Sequence, residues 1–160
     1  MISYKEVDLV RHMLDNDEWE SLLIDKRDPI TRRLFIVRDG KRYCLHYMRS
    51  GKTKPHPHKY NVRVKILCGR YKHTIYHDYG DGIHKVYQEY LHPDSQYEIN
   101  CPDTYHEIEI EPLAYSWSLM INDYDFEIPN DKCISTANNN LGPIPEEEKQ
   151  ELIKEFRKLL

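Results

Sequence analysis

From Leu34 to Ile121 the chain is a succession of short runs in which apolar residues recur at every second position. Examples are Leu34-Phe35-Ile36-Val37, Tyr43-Cys44-Leu45-His46-Tyr47-Met48, Val62-Arg63-Val64-Lys65-Ile66-Leu67-Cys68 and Ala114-Tyr115-Ser116-Trp117-Ser118-Leu119-Met120-Ile121. A period of two is the signature of a strand, whose successive side chains point to opposite faces. The runs are separated by turn chemistry: Asp39-Gly40, Tyr79-Gly80-Asp81-Gly82 and His92-Pro93-Asp94-Ser95. Asp-Gly tolerates the positive φ angles of a tight hairpin. Roughly eight short strands with turns every eight to ten residues predict a closed or sandwiched antiparallel β domain.

Both ends change character. Ser3-Tyr4-Lys5-Glu6 reads as a helix-capping box, followed by Val7, Val10, Met13 and Leu14 at helical spacing. Trp19, Leu22, Leu23 and Ile24 form a second apolar cluster, read as another helical turn or two before Asp28-Pro29 breaks the pattern. At the far end, Ser135 to Gly142 is a polar loop containing Asn138-Asn139-Asn140. Pro145 then precedes Glu146-Glu147-Glu148, a strong start signal because acids favour the positive end of the helix dipole. Leu152, Ile153, Phe156, Leu159 and Leu160 give that helix an apolar stripe, expected to dock on the β domain, with a subunit contact as the alternative. The expected layout is one structural domain: residues 1–27 a helical cap, 28–128 the β-barrel, and 129–160 a linker and terminal amphipathic helix.

With 160 residues the chain can bury one sizeable core. Mean hydropathy is −0.79 and no apolar run is long enough to span a bilayer. Met1 to Glu6 carries no apolar signal region, so a soluble, cytoplasmic protein is expected. Cys44, Cys68, Cys101 and Cys133 form no Cys-x-x-Cys pair, which excludes a zinc ribbon and favours buried thiols. Thirteen tyrosines against three phenylalanines suit a barrel with a partly polar interior, or a β surface rich in tyrosine. The net charge of −4 hides an asymmetry: Lys26 to Lys72 holds 15 Lys or Arg against two acids, and the remainder is strongly acidic. Two explanations stand: pairing between basic and acidic strands, or an anion-binding face.

The chemistry-bearing feature is Pro55-His56-Pro57-His58, just before the Val62 strand. Residues two apart in a strand share a face, so His56 and His58 aim both imidazoles at one spot. His106 precedes another alternating run, Glu107-Ile108-Glu109-Ile110-Glu111. Three imidazoles on two inward faces of one barrel would make a divalent metal site with open positions.

These residues resemble the motifs of the cupin superfamily. The first cupin motif carries His-x-His, usually a glutamate, and a glycine after the following strand; His56, His58 and Gly69 match, while Val62 stands in the place of the glutamate. The second carries a glycine, a proline and a histidine; Pro102 and His106 match, Ser95 stands near the glycine position, and the Pro102 to His106 spacing is one residue short. The resemblance extends over Leu34 to Asn122 and is similar to that of small single-domain cupins of bacteria and phage. It implies a mainly β fold: an antiparallel cupin, or jelly-roll, barrel with N- and C-terminal helices. By resemblance His56, His58 and His106 hold a divalent transition metal, Fe(II) first, with Zn, Ni or Mn as alternatives. Three-histidine iron cupins such as the thiol dioxygenases imply an oxygenase acting on a small anionic substrate; the alternative is a non-catalytic barrel that binds or sequesters a phosphorylated small molecule or nucleotide. Cupins frequently dimerise, so a homodimer is an expectation.

Around the histidines, alternation places Val62, Val64 and Ile66 inward and Arg63 and Lys65 outward, onto Glu107 and Glu109, unless a bulge inverts the pattern. Arg49, Arg70 and Tyr105 are the ligand-binding candidates at the pocket mouth, arginine because its planar fork grips carboxylate or phosphate. Tyr105 adjoins His106 and so faces the other way in a regular strand. No glycine-rich phosphate loop or nucleophile elbow is present. Asp15, Asp17 and Glu18 read as a solvated helix end. Nucleic acid is disfavoured as a partner, since no recognition motif accompanies the basic half.

Overall fold

A computed structural model describes residues 1–24, 30–58, 60–123 and 141–160. Cys133, Asp28-Pro29, Asn138-Asn139-Asn140 and most of the expected polar loop lie outside the described residues. The described elements are α1 (Tyr4–Asn16), β1 (Glu20–Ile24), β2 (Thr31–Arg38), β3 (Lys41–Lys52), β4 (His56–Pro57), β5 (Val62–Gly69), β6 (Tyr71–Asp78), β7 (Ile83–Leu91), β8 (Gln96–Ile99), β9 (Thr104–Asp123) and α2 (Glu146–Leu159). All strand pairings are antiparallel.

The architecture turns on β9. Its C-terminal half runs between β3 and β5 in the order β1-β2-β3-β9-β5-β8, while its N-terminal half pairs with β6 and β4, and β7 closes onto β6. One strand thus belongs to both walls. The bend falls at Pro112-Leu113. Proline cannot donate to a ladder, and Leu113 has φ 65° and is fully exposed. The partner strand slips there too: β3 shifts register between Arg49 and Gly51. Paired irregularities of this kind turn a sheet around a corner. The alternating runs that begin at Glu107 and Ala114 predict two strands, one on each side of Pro112; the structure carries one strand, Thr104–Asp123, through it.

The turn at Asp39-Gly40 has φ of 50° and 69° and joins β2 to β3 with Arg38 opposite Lys41, as an Asp-Gly hairpin requires. Gly69 ends β5 at φ 77°, and a Cβ there would lie 2.1 Å from the Tyr115 carbonyl oxygen. Alanine at this position therefore meets both strain and backbone overlap. Gly69→Ala is expected to lower the urea midpoint by the equivalent of about 2–4 kcal/mol. At Gly80, also at positive φ but with nothing within 4 Å of a Cβ, alanine should cost about 1 kcal/mol, from strain alone.

Two cores follow from the alternation. On β3 and β9 the odd-numbered Tyr43, Leu45, Leu119 and Ile121 face the helices, packing with Val10, Met13 and Leu14 of α1 and Leu152, Ile153 and Phe156 of α2. The even-numbered Cys44, Met48 and Met120 face the barrel interior with Phe35, Val62, Val64, Ile66, Tyr71, Tyr97 and Ile110. Trp117 meets Phe156 edge-on at 4.8 Å. The terminal helix therefore docks on its own domain, as expected. The capping box at α1 is present, with Ser3 Oγ accepting from Glu6 N and the Glu6 carboxylate accepting from Ser3 N. Among the described residues no helix is long and apolar enough to cross a membrane.

Two expectations are corrected. Trp19 to Ile24 is not helical: Glu20–Ile24 is an edge strand paired with β2 from Glu20 opposite Phe35 to Ile24 opposite Thr31. Its side chains alternate, Leu22 into the barrel core and Leu23 against the helix-side core. A short apolar run carries too little periodicity to choose between helix and strand. Arg63 and Lys65 do face outward, but not onto Glu107 and Glu109. Arg63 bonds Glu6 at 2.9 Å and Lys65 bonds Asp94 at 2.6 Å. Glu107 and Glu109 pair instead with Lys52 and Lys72, which lie next to them in register. β5 sits beside the other half of β9, so a single long strand separates the two sets of charges.

The charge asymmetry of the sequence is largely cancelled in space by these pairs, together with Arg70–Glu111, Arg38–Asp17 and Arg32–Glu148. Most keep at least one partner partly in solvent, where an ion pair is worth little alone.

Candidate metal centre

His56 on β4 stands directly opposite His106 on β9. His58 follows two residues later, on the same side. Their ring centroids are 4.5–5.3 Å apart. Nε2 of His106 lies 2.8 Å from Nε2 of His58 and 3.1 Å from Nε2 of His56. The candidate ligand atoms of the three residues all fall within 4.8 Å of one another. An ion about 2.0–2.1 Å from each nitrogen in tetrahedral geometry holds its ligands about 3.3 Å apart, so small ring movements admit one.

The tautomers and charges suit metal binding. Nδ1 of His56 sits 2.9 Å from the Lys54 carbonyl oxygen. A carbonyl only accepts, so Nδ1 carries the proton and Nε2 presents its lone pair to the cluster. Burial lowers His56, and burial reinforced by the neighbouring histidines holds His106 well below the ordinary histidine value. His58 is pushed down to about 3, first by burial and then by His56, Arg33 and Arg42. At neutral pH these are uncharged imidazoles, the form that ligates. Among the described residues no carboxylate joins the group; Val62, where the cupin glutamate would stand, is a buried wall residue.

The three other sequence candidates are not brought to this cluster. Arg49 is exposed on the helix-covered side of β3, its Nε 3.1 Å from Tyr47 Oη, beside a shallow surface pocket also lined by Arg32 and Glu148. Arg70 is exposed at the β5–β6 turn, bonded to Glu111 at 2.7 Å and lying over Tyr90. Tyr105 lies opposite Pro57 and Tyr76 in register, one residue from His106 and on the other face.

Sequence reasoning missed the rest of the interior. His73 on β6 is fully buried, its Nε2 3.0 Å from Nδ1 of His106. Tyr97 lies against the His73 ring at 4.1 Å and meets the Tyr71 hydroxyl at 3.1 Å. His46 on β3 accepts from Arg33 Nε at 2.7 Å. Burial, then Arg33 and Arg42, hold His46 far below its usual value. The available signal was parity: His73 shares its face with Tyr71 and Ile75, and His46 with Cys44 and Met48.

No protein-family model and no curated protein matches the chain. Solved structures do. A variant of oxalate decarboxylase from Bacillus subtilis aligns with TM-score 0.53 and 12% identity over 76% of this chain and 30% of that one. A second oxalate decarboxylase structure from Bacillus subtilis, described for its Mn(II) centres, gives TM-score 0.53 and 12% identity over 71% and 29%. The Schizosaccharomyces pombe Cnp3 cupin domain gives TM-score 0.47 and 14% identity over 70% and 72%. The chain therefore spans about a third of the oxalate decarboxylase chains. The topology and the two oxalate decarboxylase likenesses define the class: the chain has the cupin fold, an antiparallel jelly-roll barrel with a helix at each end. Within that fold its particular mark is a cluster of His56, His58 and His106 able to hold a metal ion.

Proposed function

We propose that this chain is a mononuclear metalloprotein that binds a small anionic molecule at a three-histidine centre, and that with iron it acts as an oxygenase on that molecule. The observation that carries the reading is the convergence of three Nε2 atoms with no carboxylate among the described residues beside them. His56, His58 and His106 would hold the ion. Imidazole suits iron, zinc, nickel and copper alike, and the Mn(II) centres of oxalate decarboxylase keep manganese in view. When bound, a divalent ion supplies a Lewis-acidic centre with open positions, and iron adds redox chemistry.

The chain's own residues do the rest. Three neutral imidazoles leave the full double positive charge in place, which favours an anionic group from the substrate. Arg33 and Arg42, whose charges depress His58, add positive potential inside the barrel. They take over the orienting role the sequence suggested for Arg49 and Arg70. Val62, Val64, Ile66 and Met120 form part of the apolar interior of the same barrel. Tyr71 and Tyr97, both raised by burial, stay protonated and offer hydroxyls rather than charges.

The test is anaerobic reconstitution with Fe(II), then oxygen-uptake measurements on a panel of small thiols and carboxylates. Iron-dependent uptake with a modified product supports the reading. The rival is a binding barrel for a phosphorylated molecule, motivated by the same Arg33 and Arg42. A tightly held ligand recovered chemically unchanged from denatured protein, with no uptake from any compound, favours the rival.

A further inference from the structure

Building on the three-histidine reading, we infer that His73 is a positioning residue of the metal site: its Nε2 accepts the Nδ1 proton of His106 and holds that ring in the tautomer whose Nε2 lone pair faces the ion. His106 has two ring nitrogens. Nε2 points at His56 and His58, so Nδ1 alone remains to be oriented, and it lies 3.0 Å from His73 Nε2. Both rings are buried, at 2% and 0% exposure, so water does not compete for the bond. β6 supplies His73 because it pairs with β9 in a register that sets Ile75 opposite His106 and His73 opposite Ile108. Those two positions share the inward face with His106. Tyr97, 4.1 Å from the His73 ring, and Tyr71, edge-on at 6.2 Å, fix the plane of the imidazole.

The proton count decides the roles. Two neutral imidazoles sharing one bond hold two protons in either of two arrangements. In one, His73 donates from Nε2 and His106 carries its own proton on Nε2, where a metal would bind. In the other, His106 donates from Nδ1 and His73 carries its proton on Nδ1. Only the second leaves a ligating lone pair on His106. It leaves the His73 proton on Nδ1, which is buried and, among the described residues, without a hydrogen-bond partner, a cost that the bond to His106 has to offset.

The choice of imidazole over the usual carboxylate partner has a consequence. A carboxylate behind His106 would add negative charge and make the ligand more basic. A neutral histidine orients the ring without offsetting the ion's charge, consistent with a centre that recruits an anion from outside.

The experiment compares the wild type, His73→Leu and His73→Gln by cobalt titration and by zinc competition against a chelator, with circular dichroism of the metal-free chains as the control for folding. Leucine removes the acceptor; glutamine restores one. The expected result is a loss of metal affinity of about tenfold to a hundredfold for His73→Leu, with a shifted cobalt absorption band, and recovery of most of the affinity by His73→Gln. If His73→Leu does not fold, nitrogen NMR of the zinc-loaded wild type reads the same point: a proton on His106 Nδ1 coupled to His73 Nε2 supports the inference, and a proton on His73 Nε2 overturns it. Equal affinity and an unchanged cobalt spectrum in a folded His73→Leu overturn this inference alone. A wild-type chain that takes up neither cobalt nor zinc overturns the metal-site reading as well.

Discussion

Replacing His106 by alanine should abolish stoichiometric metal uptake while the chain still folds. Its Nε2 is the hub of the cluster, in contact with both other ligands. Removing it leaves His56 and His58 as a two-nitrogen site, too few for a tightly held divalent ion. The expected loss in affinity is on the order of a thousandfold or more, since each ligand contributes several kcal/mol to a total of about 10–16 kcal/mol for structural zinc sites. His58→Ala should behave in the same way. Arg49→Ala and Arg70→Ala should leave metal affinity within about twofold, because both are exposed side chains that bond Tyr47 and Glu111 outside the cluster, worth little each. Metal analysis of dialysed protein checks all four. Full occupancy in His106→Ala would contradict the assignment.

Acid should begin to destabilise the metal-free protein above the range in which carboxylates usually titrate. Burial holds His46, His56, His58, His73 and His106 below the ordinary value of 6.5, with His58 at about 3 and His73 at about 4. A depressed histidine is neutral in the native state and protonated in the unfolded state between its two pKa values. The unfolded state then binds more protons, so stability rises with pH across that window. The contribution is complete above about pH 6.5 and is lost as pH falls toward 4 and then 3. Each histidine contributes a slope of at most about 1.4 kcal/mol per pH unit. At pH 5, His58 and His73 alone would remove about 4 kcal/mol if they titrated independently, a large part of the usual 5–15 kcal/mol. Urea unfolding from pH 7 to pH 4 should show this decline.

Glu6 provides an internal contrast. Burial would raise its carboxyl, but bonds from Arg63 and Ser3 take it down to about 2. Its stabilising share is present above 4.5 and lost only as pH falls from there toward 2, below most of the histidine window. Arg63→Ala should therefore steepen nothing between pH 7 and pH 5, and should reduce the additional loss below pH 4.5. Zinc in excess should hold the histidines in their neutral form and displace the decline to lower pH.

Features written in local chemistry were legible in the sequence. Ser3 with Glu6 makes its cap within one turn, and Asp39-Gly40 makes its hairpin in two residues. His56 and His58 needed only strand alternation to share a face. His106 was legible because it opens an alternating run, although its partner strand was not. What escaped depends on pairing between distant segments. β9 passes through Pro112 because β3 bends beside it, which no local pattern announces. Arg63 finds Glu6 because the start of α1 lies over β5. His73 and His46 looked like ordinary polar residues in strands; only the fold shows that their faces are the barrel's inner ones. Arg33 and Arg42 were hidden for the same reason, in a basic run whose other members mostly pair on the surface.

A crystal structure of metal-soaked protein, with anomalous scattering recorded across the metal's absorption edge, decides whether the three histidines hold an ion. One anomalous peak per chain within bonding distance of Nε2 of His56, His58 and His106 is the predicted result. A chain that shows no peak there, or binds its metal elsewhere, would contradict it.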